Sequence, residues 1–158
     1  MKEESVMFAM GCFWGPELLF SKLKGVVKTR VGFAGGKESY KKLPYTKVCL
    51  GNTGHAEVVK IWFDSEKISY EKLLNVFWKN HDPTQGNRQG PDSGNQYRSM
   101  IFYFDETQKN LAEKSKENLQ FKLNKKITTE IVKASKFYEA EEYHQKYLEK
   151  NGQTSCHI

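Results

Sequence analysis

Apolar positions recur along the chain in short segments, and their spacing alternates between the two-residue period of strands and the longer period of helices. The predicted strands are residues 5–10, 26–34, 55–64, 99–104 and 127–134. The predicted helices are residues 16–24, 70–80, 106–124 and 139–150. Several connections between strands are too short for helical crossovers. The pattern therefore favours an α+β sheet with helices packed on it over a doubly wound parallel sheet.

Residues at the predicted helix starts support these assignments. Pro16 suits a first helical turn, where a backbone N–H has no partner to lose. Ser69 and Asp105 each precede a helical segment and can cap it with a side-chain oxygen. The polar segment 37–54 is predicted to be a loop.

A second polar segment, residues 81–99, has an unusual composition for the middle of a domain. It contains three glycines, two prolines and almost no aliphatic residue. Loops longer than ~12–15 residues without secondary structure are usually functional or disordered. Because both ends of this segment join well-formed elements, we expect a functional loop.

The length and composition are those of one globular domain. The chain has 158 residues, of which 38% are hydrophobic, and no repeat or linker divides it. We expect a single domain over residues 1–158, with a mobile C-terminal tail at about 150–158. No apolar run approaches the ~20 residues that span a bilayer, and the first residues do not resemble a secretory signal. A cytoplasmic protein without membrane contact is therefore expected.

The net charge of +6 raises the possibility of a nucleic-acid partner. However, the lysines are mixed with glutamates, as in residues 110–126, which is typical of a solvated helix face. The charge pattern therefore argues against nucleic-acid binding.

The three cysteines, Cys12, Cys49 and Cys156, have neither CxxC nor zinc-finger spacing. An odd number argues against a disulfide framework, so we expect thiols. The four histidines have no HxH or HxxxH spacing, and no metal site is expected.

Cys12 lies in the stretch GCFWGPELLF, between a predicted strand and a predicted helix. A helix start can lower the pKa of a thiol from ~8.5 to ~3.5–7.5 and so produce a thiolate. A buried structural cysteine is the equally plausible alternative.

Four other candidate side chains lie either next to Cys12 in this stretch or on the predicted strand 55–64. Phe13 and Trp14 could form an apolar wall for a substrate, or could simply pack in the core. Glu57 shares a strand face with His55, and a carboxyl in an apolar pocket can act as a general acid. An exposed strand glutamate is the alternative.

Three more candidates lie in polar segments. Tyr45 and Tyr97 could be functional phenols or surface aromatics. Cys156 is the third residue from the chain end, where a thiol is either incidental or able to reach a sulfenate.

Taken together, four motifs closely resemble the peptide methionine sulfoxide reductases of the A type. They are GCFWG (11–15), YTKVCLGNTGHAEVV (45–59), FWKNHDPTQGNRQGPDSGNQYRS (77–99) and FYEAEEYHQKYL (137–148). They occur in the family's order, and the resemblance extends from about residue 5 to the C-terminus.

The resemblance implies a ferredoxin-like two-layer α+β sandwich and reduction of the S epimer of methionine sulfoxide, free or in proteins. Such an enzyme repairs oxidised methionine. By matching position, Cys12 is the nucleophile, and Phe13 and Trp14 form the cage for the substrate methyl group. No cofactor is implied, and a monomer is expected.

The resemblance also implies the groups that act on the sulfoxide oxygen. Glu57 matches the proton donor, and Tyr45 and Tyr97 match the phenols that hydrogen-bond this oxygen. Asp92 matches a loop aspartate of the family.

Attack of Cys12 on the sulfoxide leaves a sulfenic acid on the enzyme. A second thiol must then condense with this sulfenic acid. Cys156 matches the resolving cysteine of shorter family members, whereas the resemblance suggests that Cys49 takes no part in turnover. Thioredoxin is the implied reductant of the resulting disulfide.

Two other functions remain open from the residues alone. The first is a Cys–His acyl transferase or hydrolase that uses Cys12 with His55. The second is a basic binding module whose cysteines are incidental.

Overall fold

The strands and helices are described in a computed structural model that covers residues 2–40 and 42–150. The strands are β1 (Glu3–Met10), β2 (Val26–Ala34), β3 (Ala56–Asp64), β4 (Arg88–Gln89), β5 (Asp92–Ser93), β6 (Ser99–Tyr103), β7 (Glu130–Lys133) and β8 (Tyr138–Glu139). The helices are α1 (Trp14–Ser21), α2 (Tyr45–Cys49), α3 (Tyr70–Lys79), α4 (Glu106–Gln120) and α5 (Tyr147–Lys150). Short 3₁₀ turns lie at Asn95–Tyr97 and Glu142–His144.

Six of the strands form one sheet in the order β7-β6-β1-β3-β2-β8. All its neighbouring pairs are antiparallel except β6 and β7, which are parallel. The four central strands, with α1 and α3 between them, have the β-α-β-β-α-β order of a ferredoxin-like fold. The predicted α+β class, with a mixed sheet and packed helices, is confirmed.

The core lies between one face of this sheet and helices α1 and α3. Phe8 on β1 is fully buried, with its ring centroid 5.6 Å from that of Phe20 on α1 and 4.8 Å from that of Phe77 on α3. A smaller cluster covers the opposite face and includes Met7, Phe102 and the adjoining Phe137. The sheet is therefore covered on both faces where it approaches the segment around Cys12.

Both predicted helix caps are confirmed. The Ser69 hydroxyl accepts a hydrogen bond from the Lys72 N–H at 3.0 Å, and the Asp105 carboxylate accepts one from the Gln108 N–H at 2.8 Å. Each such cap typically contributes about 1 kcal/mol to stability.

Two predictions of local structure are wrong. Residues 37–54 are not entirely a loop, since they contain helix α2. Residues 139–150 do not form one helix, because Glu139 pairs with the edge of β2, residues 142–144 form a 3₁₀ turn and only α5 is α-helical. The Gln145 side chain bonds both the N–H and the carbonyl of Val31, each at 2.8 Å, and Lys146 has a φ of 54° that interrupts a helix.

Among the described helices, none has the length and apolar content that a bilayer crossing requires. Most of the predicted mobile tail, residues 151–158, lies outside the described residues, and so does Cys156.

The contact between β2 and β8 generates a prediction about stability. A side chain at Gly32 would meet the Tyr138 carbonyl oxygen and would lie 2.7 Å from Phe137 Cε1. We expect Gly32→Ala to lower the free energy of unfolding by about 1–3 kcal/mol, since backbone would have to move. Urea denaturation measures this change. Lys28→Ala, an exposed change on the same strand, is the control and should cost less than about 1 kcal/mol. Equal stability of the two variants would contradict the prediction.

Candidate active site

Cys12 lies in the turn between β1 and α1, as the sequence predicts. Gly11 precedes it with a φ of +92°, and a side chain there would come within 2.8 Å of Gln89 Cγ. A glycine is thus required both by the backbone conformation and by the close approach of the 81–99 segment. Cys12 itself is half-buried at the start of the helix. It is therefore more accessible than the fully buried side chains that surround it.

Glu57 extends from β3 beneath this turn and is only 1% exposed. Its Oε1 accepts a hydrogen bond from the Phe13 backbone N–H at 3.2 Å. Its Oε2 is buried without a hydrogen-bond partner among the described residues. One carboxyl oxygen is thus tied to the residue after Cys12, and the other remains able to interact with a ligand.

Burial raises the pKa of Glu57 to about 8, because the charged carboxylate would lose its water. The Phe13 N–H and the Gln96 side chain act in the opposite direction, and the charge of Asp92 raises the pKa further. At neutral pH the carboxyl is therefore mostly protonated. An exposed strand glutamate, the alternative from sequence, does not describe this residue.

Two phenols lie beside this carboxyl. Tyr45 begins α2 and Tyr97 ends the 3₁₀ turn of residues 95–97, and their side chains interact with each other. Burial, together with the charge of Glu57, raises the pKa of Tyr45 above its ordinary value and that of Tyr97 to about 12. Both phenols therefore keep their protons and can donate hydrogen bonds.

The long 81–99 segment contributes several of these groups. Its hairpin β4–β5 carries Asp92, which is half-buried, and its 3₁₀ turn carries Gln96 and Tyr97. The Gln89 side chain holds this segment in place by bonding the N–H and the carbonyl of Asp82, at 2.8 and 2.6 Å. This ordered segment brings three polar side chains to Glu57.

Aromatic rings form the other side of the site. The Phe13 ring is buried, and its centroid lies 5.6 Å from that of Phe33 and 6.3 Å from that of Tyr45. Trp14 is half-buried and stacks on Tyr147 at 3.9 Å between centroids, with an interplanar angle of 12°. Trp14 is thus the more accessible of the two rings beside Cys12.

Two residues at the site were missed by the sequence analysis. His144 accepts a hydrogen bond from Trp14 Nε1–H at 3.1 Å. Gln96 is 6% exposed and its amide donates to Cys49 Sγ at 3.5 Å. A histidine or glutamine within a family motif gives no sign of which distant residue it will contact. Cys49 is exposed at the end of α2, and its contact with Gln96 places this thiol close to the site.

His55 does not serve Cys12. Its Nδ1 accepts from the Gly36 N–H at 3.1 Å, and its Nε2 lies 2.7 Å from the Lys37 carbonyl oxygen, to which it donates. Both ring nitrogens are therefore used to hold the 36–37 turn. His55 is therefore not available as the base that a Cys–His acyl transferase or hydrolase would need. Among the described residues, no group of three potential ligands could hold a metal ion.

Comparisons with known proteins give consistent matches. The family model described as "Peptide methionine sulfoxide reductase" matches residues 4–158. Peptide methionine sulfoxide reductase MsrA of Methanosarcina acetivorans is 55% identical over 153 residues, which cover 94% of this chain and 79% of that protein. The fold is similar to that of Mxr1 from Saccharomyces cerevisiae in reduced form, with a TM-score of 0.91, 40% identity and coverage of 96% and 87%. Mxr1 in complex with Trx2 matches with a TM-score of 0.66, 28% identity and coverage of 92% and 85%.

The buried carboxyl generates a prediction about stability and pH. The pKa of Glu57 is about 8 in the folded protein, against an ordinary 4.5 that we take for the unfolded chain. The contribution of this carboxyl to folding stability is therefore fully present below pH 4.5, and it is lost as the pH rises from 4.5 to 8. The free energy of unfolding of wild type, relative to Glu57→Gln, should fall by up to about 1.4 kcal/mol per pH unit in that window. Urea denaturation at several pH values measures the difference.

The control for this prediction is Glu113→Gln, which changes an exposed glutamate of α4. As a change at an exposed surface position, it should alter the free energy of unfolding by less than about 0.5 kcal/mol at each pH that is measured. A flat difference for Glu57→Gln as well would show that the Glu57 carboxyl is not held in its protonated form.

Proposed function

The chain belongs to the peptide methionine sulfoxide reductase family, and we propose that it reduces the S epimer of methionine sulfoxide, free or in proteins, to methionine. One observation carries the proposal. A half-buried cysteine lies at a helix start, and the next residue's N–H bonds a buried glutamic acid that is protonated at neutral pH. Thiol and acid are the two groups that sulfoxide reduction requires.

The chemistry assigns these groups their roles. A sulfoxide sulfur is a poor electrophile until its oxygen is protonated or strongly hydrogen-bonded. Cys12 attacks the sulfur as a thiolate while Glu57 gives its proton to the oxygen. The S–S bond formed by this attack and the S–O bond of the sulfoxide then break as the oxygen moves to the Cys12 sulfur. Cys12 is thereby oxidised by two electrons to a sulfenic acid, and methionine leaves with its sulfur reduced by two electrons. Tyr45 and Tyr97 donate hydrogen bonds to the same oxygen.

The raised pKa of Glu57 makes this pair of groups available together. An ordinary thiol has a pKa of ~8.5 and an ordinary carboxyl one of ~4.3, so the proton would normally sit on the sulfur. With its pKa raised to about 8, the Glu57 carboxyl keeps its proton at neutral pH and can supply it to the sulfoxide oxygen. Asp92 supports the acid form, because its negative charge raises the pKa of Glu57 further.

The aromatic side chains orient the substrate. The methyl group of methionine sulfoxide is apolar and fits against the half-buried Trp14 indole and the Phe13 ring. Burial of a methyl group contributes about 1 kcal/mol or less, which is enough to orient the sulfur for attack.

Regeneration requires a second thiol and an external reductant. We assign the second thiol to Cys156, which lies outside the described residues and condenses with the sulfenic acid to form a disulfide and water. Thioredoxin then reduces this disulfide. The similarity to Mxr1 in complex with Trx2 supports that partner. We further propose that the enzyme acts in the cytoplasm, as a monomer and without a cofactor.

The proposed activity is tested with the separated S and R sulfoxides of a methionine derivative and dithiothreitol. We expect consumption of the S epimer alone, because one side of the site is an aromatic wall and the other presents the acid. Chromatography of the products measures the outcome. Consumption of both epimers, or of neither, would contradict the assignment.

Two variants test the residue roles in the same assay. Cys12→Ser should abolish methionine release, because a hydroxyl supplies no thiolate at neutral pH. Glu57→Gln should slow the reaction by roughly 10²–10⁴-fold, the usual effect of losing a general acid. An unchanged rate in either variant would remove that residue from the mechanism.

The resolving thiol is tested by comparing Cys156→Ser with Cys49→Ser. Cys156→Ser should release about one methionine per enzyme without external thiol, since Cys12 alone suffices for the attack. Its turnover with thioredoxin should collapse, whereas dithiothreitol can still reduce the sulfenic acid. Cys49→Ser should leave both reactions nearly unchanged. Mass spectrometry of the oxidised wild type should find a Cys12–Cys156 disulfide, and a Cys12–Cys49 disulfide would show that the other thiol resolves the sulfenate.

A further inference from the structure

The two ends of the 81–99 segment are joined to each other by a side-chain contact. His81 follows the C-cap of α3, and Ser99 is the first residue of β6. The His81 Nε2 atom lies 2.7 Å from Ser99 Oγ, although the two residues are 18 positions apart. The contact therefore closes the segment that carries Asp92 and Tyr97 to the site.

Each hydrogen bond around His81 has one direction. Burial lowers the pKa of His81 to about 4, so the imidazole is neutral at neutral pH. Its Nδ1 lies 2.7 Å from the Phe77 carbonyl oxygen, which can only accept, and so Nδ1 carries the proton. Its Nε2 therefore accepts from the Ser99 hydroxyl. Ser99 Oγ accepts in turn from the hydroxyl of Thr129 at 2.7 Å. We call these three side chains the His81–Ser99–Thr129 chain.

The residues before β7 anchor this chain to the rest of the fold. Thr129 is 1% exposed, and its carbonyl accepts a hydrogen bond from Lys116 Nζ on α4 at 2.8 Å. The neighbouring Thr128 holds the first part of the segment. Its N–H donates to the Pro83 carbonyl at 2.7 Å, and its hydroxyl oxygen accepts from the Gly86 N–H at 3.0 Å. Both ends of the segment are thus fixed to residues 128 and 129.

Tyr97 is the site residue closest in sequence to this anchor. It precedes Ser99 by two positions, in the 3₁₀ turn that leads into β6. Ser99 is 4% exposed, so water does not readily replace a lost partner of its hydroxyl. Because one residue separates Tyr97 from Ser99, a shift of the Ser99 backbone moves the phenol as well.

We propose that the His81–Ser99–Thr129 chain consists of positioning residues that aim the Tyr97 phenol at the sulfoxide oxygen. This inference rests on the proposed function, because it takes Tyr97 as a donor to that oxygen. A donor helps most when negative charge develops on the oxygen during the reaction. A displaced phenol should therefore lower the maximal rate more than the affinity for the sulfoxide.

Single-turnover kinetics on the intact protein test the proposal with the S sulfoxide. Ser99→Ala should lower the maximal rate about tenfold, while the half-saturating sulfoxide concentration changes less than about threefold. Tyr97→Phe removes the donor itself and should also slow the reaction. In the Tyr97→Phe background, Ser99→Ala should slow it no more than about twofold further, because the hydroxyl acts through the phenol. Effects of the two changes that simply multiply would overturn the proposal.

The end of the chain offers a pair of variants matched in shape. Thr129→Val removes the hydroxyl and leaves Ser99 Oγ without its donor, whereas Thr129→Ser keeps the hydroxyl. Thr129→Val should lower the maximal rate at least about fivefold, and Thr129→Ser should stay within about twofold of wild type. Equal rates in these two variants would contradict the proposal. This pair also tests it if Ser99→Ala does not fold.

Nuclear magnetic resonance of the imidazole nitrogens reports the chain without reference to activity. The chain has four histidines, and His81→Gln assigns the signals of His81. In wild type at neutral pH, the His81 proton should be on Nδ1. Ser99→Ala should shift the Nε2 signal and leave that proton in place. A proton on Nε2 in wild type would overturn the arrangement.

The matched control is Ser115→Ala on α4. The Ser115 hydroxyl accepts from Trp78 Nε1–H at 2.9 Å and donates to the Ala112 carbonyl at 2.8 Å, outside the 81–99 segment. Its loss should lower the urea midpoint without changing the maximal rate. A rate loss equal to that of Ser99→Ala would show that general destabilisation is responsible, and would overturn the positioning role.

The outcomes separate the two proposals. Wild type that reduces neither epimer contradicts the proposed function, whereas the nitrogen signals still test the chain. Active wild type together with an unchanged rate in Ser99→Ala leaves the proposed function standing and overturns the role of the His81–Ser99–Thr129 chain.

Discussion

The hydrogen bond between the Phe13 backbone N–H and the Glu57 carboxyl is the contact on which the rest of the site depends. It joins β3 to the turn that carries Cys12, over 3.2 Å and between two residues that are each only 1% exposed. A carboxylate there would lose its water, and so the carboxyl keeps its proton up to a pH of about 8. Every side chain that excludes water from this position therefore helps to hold Glu57 in its protonated form.

Those side chains come from distant parts of the chain. Phe33 lies opposite Glu57 in the register of β2 and β3, and Tyr45 packs against the Phe13 ring from helix α2. The 81–99 segment adds Gln96 and the charge of Asp92. The ferredoxin-like sheet supplies the rigid part of the site, and the irregular segments supply the polar groups. This division is common, because loops carry function on a scaffold that holds them in place.

The sequence predicts the regular elements well and the irregular ones poorly. Strand β2 has the predicted bounds, and Ser69 caps α3, because these features depend on neighbouring residues alone. The helix predicted over 139–150 fails because β8 and Gln145 satisfy the edge of β2, a contact that no local pattern encodes. At the site, the family motifs point to Glu57, but its protonation follows from burial that only the fold creates.

The segment from β8 to α5 solves two problems with one set of contacts. An open edge on β2 would present unpaired N–H and carbonyl groups and invite pairing with another chain. Tyr138 and Glu139 pair with part of this edge, and the amide of Gln145 satisfies both backbone groups of Val31. The same segment then places His144 against the Trp14 indole. The contacts that protect the sheet edge therefore also hold this segment against the Trp14 indole. A change that loosens this segment must therefore expose the edge of β2 and release Trp14 together.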